Sequence, residues 1–329
     1  MTNNILVYIL TADDRSIRSG LEALTPANTL AEKLHGEVIA AVAGKDKANV
    51  ADAAARGCSC VMFSDPVTFD VKNISAHAEL LGKIIKREKP RMVLLGGTDT
   101  GNALAAITAF KFQTSVAPNV IAINYMEEKI VYTIPEYCGT ILCDLVESND
   151  GLQIATVKPG AFRYSKTGIS GKIMQAQDSF SWPSDNIELI KRVNEISDAV
   201  NLEDARIVVS GGRGMGTREN FEWIIALAKV LGGEIGATRP VIEAGWISRD
   251  HQIGQSGSNI TAKLYIAAGI SGAPQHLAGI TGADYIVAIN NDENAPIFSV
   301  ADMAIVGDAA KVLPVMIREI KKAQKMKAF

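Results

Sequence analysis

The sequence predicts an α/β fold in two domains: an N-terminal Rossmann-like parallel sheet with an antiparallel extension, and a smaller, doubly wound C-terminal domain. Three observations predict it. Short apolar, β-branched runs alternate with helix-length segments from residue 5 to residue 95, the pattern of βαβ units. From Asn119, four strand-like runs follow one another with no helix between them. A polar stretch then gives way, after residue 203, to a second strand–helix alternation. With 329 residues, 47% of them apolar and 21% charged, the chain can build two cores and is too apolar to be disordered.

Taken in order, Ile5–Thr11 reads as the first strand, Ala27–His35 as a helix and Glu37–Val42 as a strand. Asn49–Arg56 is helical, Cys58–Phe63 strand-like, Ala76–Arg87 helical, and Met92–Leu95 a short buried strand. The intervals leave room for right-handed helical crossovers between parallel strands. Val120–Asn124, Ile130–Ile134, Thr140–Glu147 and Gln153–Val157 then read as strands, with turn signals at Glu127-Glu128 and Asn149-Asp150-Gly151 that fit hairpins. An antiparallel extension of the parallel sheet accounts for them. Glu188–Val193 looks like an edge strand, and polar Asn194–Glu203 is the predicted linker, which sets the domains at 1–195 and 203–329. Beyond it, Ala205–Ser210, Glu234–Thr238, Lys263–Ala267, Tyr285–Ile289 and Met303–Val306 read as strands. Thr217–Leu231, Gln275–Ile280 and Asp308–Lys322 read as helices.

Charge and composition exclude several function classes. Net charge is −3, and basic residues cluster only in the short tail Lys321-Lys322-Ala-Gln-Lys325-Met-Lys327, so a nucleic-acid role has no electrostatic footprint. Apolar runs are of strand length, which argues against membrane insertion. No basic region precedes the first apolar run, so the N-terminus reads as a strand and not a signal, and a cytoplasmic protein is expected. Cys58, Cys60, Cys138 and Cys143 form no Cys-x-x-Cys, and the four His are scattered. Buried free thiols are expected, not a zinc or iron–sulfur site.

The chemistry lies in six segments of the second alternation, mostly at strand ends, where ligands bind on doubly wound sheets. Val208-Val-Ser210-Gly-Gly-Arg213-Gly-Met-Gly216 runs from a strand through a glycine-rich turn into a helix. Missing Cβ atoms let backbone amides approach a phosphate, and Arg213 adds a charged fork. A tight strand–helix turn explains the segment equally well, and the Gly-x-Gly-x-x-Gly fingerprint is not met. Thr238-Arg239-Pro240 places a cation after a strand; taken alone, a solvated turn is the plainer reading. His251-Gln-Ile-Gly254-Gln255-Ser256-Gly257 sets polar donors between glycines, either a loop laid against a polar ligand or a surface loop. In Tyr265-Ile-Ala-Ala-Gly269-Ile-Ser271-Gly272-Ala-Pro274-Gln275-His276, a strand ends at Gly269 and Ser271 is placed to cap the next helix. His276 falls in that helix's first turn, where a packed or capping histidine is the commoner case. Neither Ser256 nor Ser271 completes Gly-x-Ser-x-Gly, so a hydrolase lacks its motif. Asn290-Asn-Asp292 with Ala295–Phe298, and Ala301–Asp308, put carboxamides or carboxylates after buried strands. Such groups suit ribose hydroxyls or an adenine edge; turn formation by Asn290 and capping by Asp308 are the structural alternatives. Together the six segments point to a large, phosphate-bearing cofactor.

Ser-Gly-Gly-Arg-Gly at 210–214, Gly-Gln-Ser-Gly at 254–257 and the whole run 265–279 carry a family resemblance, as do Ala-Ile-Asn at 288–290, Ala-Pro-Ile-Phe at 295–298 and Ile-Val-Gly-Asp at 305–308. On these residues the chain resembles the α subunit of electron transfer flavoproteins, closely over 203–329 and more loosely over 1–195, through the strand pattern and Val157-Lys-Pro-Gly-Ala-Phe162. The resemblance implies that the C-terminal domain binds FAD, with Arg213, Thr238, Arg239, Ile253, Gly254, Gln255, Ser256, Ser271, Gly272, Ala273, Pro274, Gln275, His276, Asn290, Asp308 and Ala309 as the cofactor-binding set. Arg213 looks like the flavin or phosphate arginine, and Arg239 like the arginine beside the isoalloxazine ring. Ser256 takes the place of a hydroxyl facing flavin N5, Gln255 the pyrimidine side, and His276 the neighbourhood of N1 and O2. Ser271, Gly272 and Gln275 would line the phosphates and flavin; Asn290 and Asp308 would hold the phosphate and adenosine end. Three positions depart from the family's pattern: Ser258 and Asn291 where a lysine is usual, and Pro274 for a common isoleucine.

The same resemblance implies an N-terminal domain that pairs with an electron transfer flavoprotein β subunit. It implies electron exchange with an acyl-CoA dehydrogenase or related flavoenzyme, and a carrier role with no substrate of its own. A variant is an electron-bifurcating complex whose β subunit holds a second FAD. The rival from another class is a nucleotide-binding enzyme or sensor using the N-terminal loop Gly96-Gly-Thr-Asp-Thr-Gly-Asn102, which lacks both the family's frequent arginine and Gly-x-x-x-x-Gly-Lys-Ser/Thr.

Overall fold

A computed structural model describes residues 2–12, 15–16, 18–43, 57–64, 73–148, 151–163, 171–175, 202 and 205–327. The predicted helix at Asn49–Arg56, the edge strand at Glu188–Val193, the turn residues Asn149-Asp150 and, Leu202 apart, the linker Asn194–Glu203 lie outside the described residues. The chain divides into two compact units, Met1–Lys191 and Arg192–Phe329.

The first unit runs β1 (Ile5–Ala12), β2 (Arg15–Ser16), α1 (Arg18–Glu22), α2 (Leu24–Leu34), β3 (Val38–Ala43), β4 (Cys60–Ser64), α3 (Ile74–Glu88) and β5 (Met92–Gly96). There follow α4 (Asp99–Phe112), β6 (Val116–Val120), β7 (Ala122–Met126), β8 (Lys129–Glu136), β9 (Ile141–Val146), β10 (Gln153–Val157) and β11 (Lys172–Gln175). Seven strands form a parallel sheet in the order β11-β4-β3-β1-β5-β10-β6, with β2 paired antiparallel to β1. Parallel strands covered on both faces read as unbroken apolar runs, and Ile5 to Leu10 and Met92 to Leu95 are all buried. Alternate side chains feed two cores. Ile5, Val7 and Ile9 pack with Leu24 and Leu30 of α2 and with Ile130, Tyr132 and Ile134 of β8. Leu6, Tyr8 and Leu10 pack with Leu80, Leu81 and Ile84 of α3 and Leu104 of α4.

The antiparallel strands after residue 119 form a three-stranded sheet of their own, β7-β8-β9. Glu127 and Glu128 link β7 to β8 with φ of 49° and 62°, the two positive values of a type I′ turn. The second hairpin turns at Tyr137–Gly139, not at 149–151, since β10 returns to the main sheet between β5 and β6, parallel to both. The segment expected as one strand at Val120–Asn124 is the junction of two: Val120 ends β6, and Ile121 hands its N–H to Thr133 of β8. A further correction concerns residues 99–102, expected as loop. They are the first turn of α4, whose N-cap Thr98 accepts the Gly101 N–H.

The second unit runs β12 (Ile207–Gly211), α5 (Arg218–Leu231), β13 (Glu234–Ala237), α6 (Arg239–Glu243), β14 (Leu264–Ala268), α7 (Pro274–Leu277), β15 (Ile286–Asn290), β16 (Met303–Val306) and α8 (Ala309–Lys327). All five strands are parallel in the order β13-β12-β14-β15-β16, a doubly wound arrangement that starts in the middle and reverses between β12 and β14. Thr217 caps α5 by accepting the Asn220 N–H, and Gly232 ends it in the left-handed region. One face of α5, with Phe221, Ile224 and Leu227, packs with Leu313 and Ile317 of α8 against Val209, Ile266 and Ile289. The other sheet face packs Val208, Tyr265 and Ala288 with Ile253, Ile280 and Ile297. Helix α7 is a single turn, shorter than the expected Gln275–Ile280. Gly279 lies so close to Gly254 that a Cβ on it would approach the Gly254 Cα to 2.6 Å, which fixes the chain in a turn there.

Candidate functional site

The carboxyl ends of β12 and β14 flank the point where strand order reverses, and each leads into glycines. Gly212 and Gly214 donate their N–H groups to Ala268 and Gly269, at 2.9 Å each. The two loops thus lie backbone on backbone: a Cβ on Gly212 would sit 2.3 Å from the Gly269 oxygen. Gly272, at φ 88°, has the same constraint, since a Cβ would lie 2.2 Å from the Ile297 nitrogen. The amides of Gly212 and Gly214 are engaged by these strand ends. The next four, Ile270 to Ala273, donate to no acceptor among the described residues. They form a run of donors just past the end of β14, in which Ser271 is exposed. Such a row, followed by a helix start, suits oxygen ligands of an anion.

Around that cradle, backbone bonds tie the other loops to one edge. Thr238 N–H reaches the Gly211 oxygen, and Ile253 N–H the Ala237 oxygen. Gln255 N–H donates to Gln275 O at 2.8 Å, Ile297 N–H to Ser271 O, and Gly307 N–H to Asn290 O. All six sequence segments therefore meet at the carboxyl edge of one sheet.

Individual side chains divide by exposure. Arg213, Arg239, Gln255, Ser256, Ser271, Ala273, Pro274, Gln275 and Asp308 are exposed. Thr238 and Gly254 are buried at the edge. Arg239 opens α6 and pairs with Glu243, Nε to Oε1 at 2.7 Å. Ile253 and Ala309 are core residues whose side chains face inward. Ser271 does not cap α7 as expected; the N-cap is Ala273, and Pro274 begins the helix. Asn290 is buried, and both ends of its carboxamide are engaged: Nδ2 donates to Ile270 O, and Oδ1 accepts the Asp292 N–H. Asp308 caps α8 by accepting the Ala310 N–H. The structural alternatives raised for Asn290 and Asp308 are thus observed.

His276 is buried, and both ring nitrogens are engaged. Nδ1 lies 3.2 Å from the Ile253 carbonyl, which can only accept, so Nδ1 carries the proton. Nε2 then accepts from the Tyr265 hydroxyl at 2.7 Å. Burial lowers the His276 pKa from 6.5 to about 4, so the ring is neutral at physiological pH. The same burial pushes the Tyr265 phenol above its ordinary value. In this arrangement His276 staples α7 to the 253–257 loop and has no N–H to spare. Sequence reasoning passed over Gln252, which is buried beneath that loop and bonds Ser256. A carboxamide before a Gly-x-x-Gly loop was the available signal.

In the first unit, the rival Gly96–Asn102 segment is filled by its own neighbours. A Cβ on Gly96 would lie 2.3 Å from Ser19 Oγ, and one on Gly101 1.9 Å from the Gly96 oxygen. Asn102 Oδ1 accepts from Thr156 Oγ1. These glycines serve close packing, and α1 occupies the reversal point between β1 and β5.

Residues 5–179 match the family model described as the electron transfer flavoprotein domain, and residues 201–281 the electron transfer flavoprotein FAD-binding domain. The chain is similar to electron transfer flavoprotein subunit alpha of Thermoanaerobacterium thermosaccharolyticum, 35% identical over 97% of this chain and 98% of that one. It is 36% identical to the same subunit of Megasphaera elsdenii, over 92% and 91%. It is 37% identical to protein FixB of Azorhizobium caulinodans, over 90% and 82%.

Proposed function

The chain belongs to the electron transfer flavoprotein α-subunit family, and from that premise we propose that it is the FAD-holding subunit of a two-subunit electron carrier. Residues 201–281, within the second unit, match the family's FAD-binding domain. Bound FAD supplies reversible one- and two-electron chemistry; the chain supplies the place and the electrostatics.

One observation carries this reading. At the reversal point of the second sheet, four consecutive amides, Ile270 to Ala273, donate to no acceptor among the described residues. Such an edge would suit a pyrophosphate close to backbone donors. Arg213 and the amides would hold phosphate oxygens. Thr238, Arg239, Gly254, Gln255, Ser256, Gln275 and His276 would frame the isoalloxazine ring. Asn290, Asp308 and Ala309 act through the backbone they hold, with the adenosine end lying over them. Ile253, Gly272, Ala273 and Pro274 shape the walls. Arg239 would favour negatively charged reduced flavin, while neutral His276 keeps the 253–257 loop in place.

The first unit would pair with a β subunit, and the complex would exchange electrons with an acyl-CoA dehydrogenase or related flavoenzyme in the cytoplasm, with no substrate of its own. On this reading the labour is divided between residues 1–195 and 203–329. Co-expression with the β partner, followed by an absorbance spectrum and a flavin count, tests the proposal. A flavin spectrum with at least one FAD per α/β pair is expected; a colourless complex refutes it. A second FAD per pair would mark the bifurcating form.

A further inference from the structure

Ser256 is exposed, yet one lone pair of its hydroxyl is already engaged. Four residues earlier, Gln252 is buried at 6% exposure. Its Nε2 donates to the Ser256 carbonyl oxygen at 3.0 Å and to Ser256 Oγ at 2.8 Å. A backbone carbonyl only accepts, so the atom facing it is the carboxamide nitrogen, and its second N–H is directed to Oγ. A hydroxyl has one proton. With Oγ accepting from Gln252, that proton points elsewhere, and no described residue accepts it.

The backbone holds this geometry in place. Gln252 donates its N–H to Arg249 O and accepts the Ser258 N–H at 2.8 Å. It also bridges Ala237 at the end of β13. A Cβ on Gly257 would come 2.3 Å from the Gln252 oxygen, so the loop closes tightly over this one residue.

From these contacts we infer that Gln252 is a positioning residue that sets the Ser256 hydroxyl as a hydrogen-bond donor toward the ligand at this edge. The inference rests on the FAD reading above and deepens it. It names the recipient as a ligand atom with a lone pair and no hydrogen, such as a hydrogen-free ring nitrogen of oxidised isoalloxazine. Once reduced and protonated, that nitrogen becomes a donor. With one lone pair taken by Gln252, the hydroxyl is biased toward donation, which favours oxidised flavin, whereas a hydroxyl without that bond serves either form more evenly.

The α/β complex is the test material. A flavin spectrum of the wild type comes first; its absence overturns the FAD reading and this inference with it. Gln252→Met removes both N–H groups at similar volume. It is expected to keep FAD bound, to shift the flavin absorption bands, and to move the reduction equilibrium about tenfold toward the reduced form, ~30 mV for a two-electron couple. In a Ser256→Ala background the same substitution is expected to add nothing, because Gln252 acts through that hydroxyl. An unchanged potential overturns the proposal, and so does an equal shift with and without Ser256. Should Gln252→Met fail to fold, Ser256→Ala alone carries the test from an exposed position. It too is expected to raise the potential, and an unchanged value overturns the proposal.

Discussion

Arg239 stands at the start of α6 with its guanidinium in water and Glu243 beside it at 2.7 Å. Exposure weakens that pair, so its effect on a ligand depends on the ligand covering it. A cation beside the ring favours anionic reduced flavin, so Arg239→Ala is expected to lower the first reduction potential by about one tenfold step, ~59 mV for one electron, with FAD still bound. Glu243→Gln, which frees the cation, is expected to raise it. Redox titration of both variants decides; two unchanged potentials would make Arg239 a solvated turn residue. His276 carries a second expectation. Its pKa is about 4 in the fold against 6.5 ordinarily, so the unfolded chain takes up a proton that the folded chain refuses. Stability from this group is full above pH 6.5 and is lost as pH falls toward 4, by about 3 kcal/mol at most. Urea unfolding followed by Trp223 and Trp246 fluorescence, in a Trp182→Phe background, is expected to show His276→Gln losing less between pH 7 and 4 than wild type. Parallel losses would refute the role of burial. At this scale the sequence located loops that the fold brings to one sheet edge, but not every duty within them. Asn290 and Asp308 are recognisable as polar residues after strands, yet whether their atoms turn to backbone or to ligand depends on neighbours far along the chain, such as Ile270.

Elements were legible where burial writes one signal along the chain. All five strands of the second unit were found within a residue or two; β12, β14 and β15 carry the nearly unbroken buried run of a parallel strand covered on both faces, whereas β16 is largely exposed. Helix α4 was missed: it begins Asp99-Thr-Gly-Asn and is apolar over much of its length, so it lacks the polar–apolar period that marked α3. Strand β10 was grouped with the hairpins because sequence order cannot say which strand pairs with which; its place between β5 and β6 is a tertiary fact. Glycines show the same limit. Gly212 and Gly232 look alike in sequence, but Gly212 faces the Gly269 carbonyl whereas Gly232 meets nothing within 4 Å. Gly212→Ala is expected to cost about 1–3 kcal/mol through overpacking and also to weaken FAD binding, because the cradle must open. Gly232→Ala costs about 1–2 kcal/mol through its left-handed backbone alone and should leave FAD affinity unchanged. FAD titration of the two apo complexes separates them, and equal loss of affinity would count against the cradle.

For the molecule as a whole, the sheet β7-β8-β9 is the feature that a lone chain explains least well. Its inner face, with Ile130, Tyr132 and Ile134, is buried in the first unit's core. Outside, Met126, Tyr137, Ile141, Leu142 and Val146 are exposed, the tyrosine by 77% and Leu142 by 60%. Strand β9 is the open edge of that sheet, and exposed apolar residues along an edge mark an interaction surface or an aggregation liability. Family membership supplies a partner, the β subunit, whose pairing would cover such residues. Charge at the centre of a buried patch is penalised, while the same charge on a solvated face costs little. Leu142→Glu is therefore expected to leave the chain folded, since its side chain is already in water, and to weaken α/β pairing at least tenfold. Ile107→Glu, on the exposed side of α4, is the control and should pair normally if that helix lies outside the interface. Size-exclusion chromatography across a dilution series, with flavin absorbance as the tracer, reads both. Undiminished pairing of Leu142→Glu would move the partner to another face. A lone α chain that holds FAD and passes electrons at the full rate would remove the need for a partner altogether.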